Sequence, residues 1–136
     1  MKRFLASLAA LVIMLGFAIY SWASPGGDSV CPGNPLEGVW GPARLQVLGE
    51  CVEAAGTAHN VHRATDGDIT FDLTVDAEYE ELLGEDGVLH VEIVPVNQGT
   101  VAAPQEGEHV CVTGTWVLDK GHNKSEIHPA FQVEGC

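Results

Sequence analysis

An all-β domain, a small five-stranded Greek-key barrel with one short helix, is what the chain predicts. Three observations carry this. Ile69, Phe71, Leu73 and Val75 alternate with Thr70, Asp72, Thr74 and Asp76, the period of a half-buried strand. The run from Gly107 to Cys136 reads as two alternating strands around a polar loop, a β-hairpin. A long run, RLQVLGECVEAAGTAHNVHR, carries Gly49 and Gly56 where a barrel strand must bend.

The elements follow in order. Residues 1–23 read as a signal peptide or a membrane anchor: Lys2 and Arg3 precede an apolar run that reaches Ala23. Ser21-Trp22-Ala23 suits cleavage, while a run of about 20 residues also suffices to span a bilayer. Both forms place the rest of the chain outside the cytoplasm, secreted or anchored at the cell envelope. Residues 24–43, rich in Gly and Pro, read as a linker or an arm pinned by Cys31. The domain proper is 44–136.

Its first strand runs from Arg44 to Arg63. Asp66-Gly67-Asp68 is a turn signal, and the second strand follows it. Ala77 to Leu83 reads as the short helix, with Asp76 as its N-cap. Val88 to Val96 is the third strand, with Leu89, Val91 and Ile93 inward and His90 and Glu92 outward. Asn97 to Gly107 is a loop. In the fourth strand Val110, Val112, Gly114, Trp116 and Leu118 share a face. In the fifth, Ile127, Phe131 and Val133 point one way and Glu126, His128, Gln132 and Glu134 the other. Five strands in this order, the first long and bent, match the OB-fold.

Charge and cysteines limit the function classes. All 19 acids lie beyond Ala23, against four cations (Arg44, Arg63, Lys120 and Lys124), a formal charge of −15 for that part. Such a surface repels phosphates and anionic lipid heads and attracts cations. Nucleic acid is further disfavoured because the binding face of an OB barrel would here show Thr70, Asp72, Thr74, His90 and Glu92, with no stacking aromatic. Cys31, Cys51, Cys111 and Cys136 read as two disulfides of an oxidising compartment. Strand facing favours Cys51–Cys111 with Cys31–Cys136; Cys31–Cys51 with Cys111–Cys136 also satisfies facing.

Two resemblances attach to these residues. Cys51, Gly56-Thr57, Asp66-Gly67-Asp68, Val112-Thr113-Gly114, Trp116-Val117, Asp119, His122 and Glu126-Ile127-His128-Pro129 resemble a group of uncharacterised, often exported bacterial proteins with an OB-like fold. Such relatives commonly carry Gly-Trp after the loop histidine, where this chain has Asn123-Lys124. The Asp-Gly-Asp turn also resembles that of the thermonuclease OB barrel, which implies a role in Ca²⁺ binding for Asp66 and Asp68. The arginine clamp of that family has no counterpart here, since the last arginine is Arg63.

The candidate site therefore lies at the rim. Asp66 and Asp68 on one loop would approach His122, Glu126 and His128 on another, a carboxylate–imidazole set suited to Zn²⁺ or Mn²⁺, or through carboxylates alone to Ca²⁺. Asp72, His90 and Glu92 are the candidate ligand-binding residues on the adjoining face. Each also has a plainer reading, the aspartates as a hairpin turn and Glu126 and His128 as solvated strand residues. The chain reads as a non-enzymatic binding module for an unknown protein or small ligand at the cell envelope. A metal-dependent hydrolase using Asp66, Asp68, His122, Glu126 and His128 is the alternative.

Overall fold

The computed structural model describes residues 30–136; the predicted signal or anchor segment lies outside them. No described helix is long and apolar enough to cross a membrane. The described chain is mostly β. Strands β1 (Leu45–Arg63), β2 (Ile69–Val75), β3 (Leu89–Ile93), β4 (His109–Asp119) and β5 (Lys124–Gly135) form one sheet. The sheet closes on itself in the order β1-β2-β3-β5-β4. All neighbours are antiparallel except β3 and β5, which run parallel.

Inside the ring, Phe71 and Leu73 of β2, Leu89, Val91 and Ile93 of β3, and Val110 and Val112 of β4 meet Ala54 and Ala58 of β1 and Ile127 and Ala130 of β5. The alanines let β1 lie close to the facing strands. β1 is long because it serves two neighbours. Its first two-thirds pairs with β4, and its last third pairs with β2. Register shifts around Gly49 bend it.

Gly56 sits where both neighbours are paired, opposite Val75 on one side and Val110 on the other. A Cβ there would lie 2.1 Å from the Thr74 carbonyl oxygen and 2.7 Å from Val75 Cα. Both are backbone atoms in a ladder, so β1 and β2 would have to part. Gly56→Ala is expected to cost about 1–3 kcal/mol, a fall in Tm of roughly 5–15 °C. An unchanged melting temperature would contradict this packing.

Several expectations need correction. Ala77–Leu82 is a 3-10 helix, and Asp76 makes no side-chain cap; its carboxylate binds His109 instead. The third strand stops at Ile93 because Pro95 opens a further 3-10 turn, Pro95–Asn97. In β5 the facing is not simple alternation. Pairing shifts between Gly114 and Trp116, and again between Thr113 and Gly114, so extra residues around the cis His128–Pro129 peptide change parity. Ala130 thereby takes the core position, and Phe131 lines a cleft with Val30, Pro32 and Glu37 of the arm.

The disulfides are Cys31–Cys51 and Cys111–Cys136, not the favoured pairing. Cys51 falls in the shifted stretch between Gly49 and Val52, whereas Cys111 lies opposite Ala55. Four residues of strand separate the two, beyond the reach of a disulfide. The Cys31–Cys51 bridge ties the arm to β1. There Thr115 on β4 donates its hydroxyl to the carbonyls of Pro35 (2.5 Å) and Glu50 (3.2 Å).

Candidate metal centre

The outer face of β2, β3 and β5 gathers the polar residues. Asp68 precedes β2 on the parity of Thr70 and Asp72. Across the ladder Thr70 lies opposite Glu92 and Asp72 opposite His90. The parallel pairing of β3 with β5 then sets His90 against Glu126, which brings His128, two residues on, beside Glu92. This parallel register is what joins the ends of three strands into one nest: Asp68, Glu92, Glu126 and His128.

The nest is buried. Relative exposure is 3% for Asp68, 2% for Glu126 and 0% for His128; the Glu92 side chain, at 18%, is the part that meets solvent. His128 Nδ1 lies 3.1 Å from Glu126 Oε2 and 3.1 Å from Glu92 Oε2. With carboxylates on that side, Nδ1 carries a proton and donates to Glu126. The other nitrogen, Nε2, stands 3.4 Å from Asp68 Oδ2. These two atoms are buried and neither makes a hydrogen bond. Buried polar atoms in folded proteins are nearly always satisfied, so the pair calls for an explanation.

The turn that presents Asp68 is fixed from several sides. Ala64 N–H donates to the Asp68 carbonyl (2.8 Å) and Gly67 N–H to that of Ala64 (3.1 Å). Gly67 has φ 96°, a conformation that favours glycine. Its carbonyl accepts from Arg63 (2.9 Å) and from Gln98 (2.8 Å), and Gln98 also donates to the Ile93 carbonyl (3.0 Å). The β1–β2 turn is thus tied to the end of β3, which holds the Asp68 carboxylate against β5.

The charges of the nest act on one another at close range. Burial alone would lower the His128 pKa. The carboxylates of Asp68, Glu126 and Glu92 around the ring outweigh it and push the group up to about 9. Burial raises Glu92, neighbouring Glu126 and Asp68 raise it further, and His128 offsets part of this, leaving it at about 7.

The donor atoms of Asp68, Glu92 and His128 all lie within 4.8 Å of one another. One imidazole nitrogen with carboxylate oxygens suits Zn²⁺ or Mn²⁺. Glu126 would then hold Nδ1–H and aim Nε2 at the ion, the usual carboxylate support of a metal-bound histidine.

The predicted residues divide accordingly. Asp68, Glu126 and His128 come together. Asp66 does not join the donor set; its carboxylate accepts from the Asp68 amide (3.2 Å) and closes the turn. His122 is also apart. Its side chain is 67% exposed and bonds Asp119 Oδ2 at 2.7 Å, in a clasp that Arg44 completes at 3.1 Å. A short loop with Asn123 at φ 54° returns His122 to its own strand end. The sequence placed Glu92 on the ligand face and did not join it to the candidate donor set; the signal was the β3–β5 neighbourhood that closing the ring requires.

Asp72, His90 and Glu92 all line a groove of about 640 Å³ with Asn60, His62, Thr70 and Lys124. His90 is held on both sides, Nδ1 by Asp72 (2.7 Å) and Nε2 by Asp86 (3.0 Å). Asn60 donates to Asp72 (2.7 Å). Glu92 belongs both to this groove and to the nest, so the groove leads to the buried donors. No protein-family model matches the chain, and comparison with curated proteins returns no relative.

Proposed function

We propose that the chain is an exported, disulfide-bonded module with an OB-type barrel that binds a divalent transition-metal ion, Zn²⁺ or Mn²⁺, through Asp68, Glu92 and His128. It serves as a binding module and not as an enzyme. The observation that carries this is the buried, unbonded pair of Asp68 Oδ2 and His128 Nε2, 3.4 Å apart. A cation placed to meet both would give each a ligand bond where the metal-free nest offers only a long 3.4 Å ion pair. The acidic balance of the domain raises local cation concentration. Strand order and the parallel β3–β5 pair support the OB assignment. Two disulfides support an oxidising, extracytoplasmic location.

Thermal melting after EDTA treatment tests the proposal. An ion at 100 times its Kd adds about 2.7 kcal/mol to the native state, a rise of roughly 10 °C for a domain of this size. Zn²⁺ or Mn²⁺ should produce it in the wild type and not in Asp68→Asn or His128→Gln. Ca²⁺ should produce less. An equal response in all three proteins, or none in any, would refute the assignment.

A further inference from the structure

A second arrangement lies where β4 begins, and the nest plays no part in it. His109 Nε2 lies 3.0–3.1 Å from both carboxylate oxygens of Asp76, while its Nδ1 lies 3.7 Å from Cys136 Sγ. The backbone keeps these groups in place, since Cys136 N–H donates to the His109 carbonyl at 3.3 Å. Cys136 is bonded to Cys111, and both cysteines are exposed. On the Cys111 side a separate cleft of about 200 Å³ is lined by Tyr79, Cys111, Thr113, Gln132, Glu53 and Glu134. The two sulfurs therefore differ. One faces a cleft, and the other sits beside an imidazole held by a carboxylate.

The geometry points to Cys111–Cys136 as an exchange-reactive disulfide, with Cys111 as the attacked sulfur and Cys136 as the leaving thiolate stabilised by His109. The co-reactant is a dithiol, such as that of an exported Cys-x-x-Cys oxidoreductase. Its first thiolate bonds to Cys111 Sγ in the cleft. The Cys111–Cys136 bond breaks, and the electron pair leaves on Cys136 Sγ, where the imidazolium N–H of His109 meets it. The second thiolate of the dithiol then attacks the mixed disulfide at the partner's sulfur and expels Cys111 as thiolate. Two electrons pass to the protein, the dithiol is oxidised to a disulfide, and its two protons end on Cys111 and Cys136. Exchange is faster when the departing sulfur is the better-stabilised thiolate. A neighbouring imidazolium provides that stabilisation, and Asp76 holds the His109 ring in place from its other nitrogen.

The test is the opening rate of each disulfide in the full chain under dithiothreitol, read by alkylation and mass spectrometry. The Cys111–Cys136 bond should open first. His109→Ala should slow it about tenfold, Asp76→Asn should slow it less, and His109→Lys should restore much of the rate by replacing the positive charge. Cys31–Cys51 serves as the internal clock, because a variant that merely loosened the fold would speed both bonds. A His109→Ala rate equal to wild type, or a His109→Lys rate as slow as His109→Ala, would overturn the inference.

Discussion

His128→Ala is expected to destabilise the metal-free protein by about 3–5 kcal/mol at neutral pH, the scale for removing one partner from a buried charge cluster. Domains of this kind are stable by only about 5–15 kcal/mol, so the loss is a large fraction of the total. The reason is electrostatic more than steric. Asp68, Glu126 and Glu92 surround the imidazole within 3.1–3.4 Å. Without it, buried carboxylates face one another with no cation between them. The nest can relax only by taking up protons, so the deficit should shrink at pH 5. A second change, Glu126→Gln, should return part of the loss, because contacting groups are not additive. Urea denaturation at pH 7 and pH 5 measures all three values. A loss below about 1 kcal/mol that is independent of pH would show that the carboxylates do not depend on His128.

The stability of the metal-free protein is expected to fall as pH rises from about 5 to 9. For Glu92 the folded value of about 7 stands above the ordinary 4.5. Between these values the unfolded chain has released the proton and the folded chain still holds it, so stability falls through that window. For His128 the folded value of about 9 stands above 6.5. Its contribution is fully present below 6.5 and is lost as pH climbs to 9. Both groups act in the same direction. A bound ion reverses the trend. It needs the Nε2 lone pair and the ionised carboxylates, so its affinity should rise with pH as protons are displaced. Melting in EDTA from pH 5 to 9 should show the fall, and His128→Ala should flatten the limb above pH 6.5. A metal-free protein that gains stability across this range would contradict the electrostatics of the nest.

Much of the fold was legible in the sequence. The period-two run Ile69–Val75 and the glycines at 49 and 56 identified strands and a bend without any tertiary information. The site was legible in part, for physical reasons. Asp68 carried a turn signal, and Glu126 and His128 shared a parity, so their convergence could be read from closure of the ring. Their burial could not. Alternation alone predicts that a residue faces away from the core, not that a neighbouring turn will cover it. Glu92 was read on the face it occupies, and its contact with His128 was not foreseen because it depends on the parallel β3–β5 pair. Asp66 and His122 looked like donors by type. Local geometry took both, Asp66 into its own turn and His122 into the Asp119–Arg44 clasp. The disulfides failed for a similar reason: a bulge between Gly49 and Val52 moved Cys51 out of register with Cys111, and bulges leave little trace in a single sequence.

One experiment bears on the nest itself. Crystals of the protein grown with Zn²⁺ or Mn²⁺, measured at the absorption edge of the metal, should show one anomalous peak about 2.0–2.2 Å from His128 Nε2 and from an oxygen of Asp68, with Glu92 turned toward it. Bound ions found only on surface carboxylates, with His128 Nε2 and Asp68 still facing each other unbridged, would show that the buried cluster is not a metal centre.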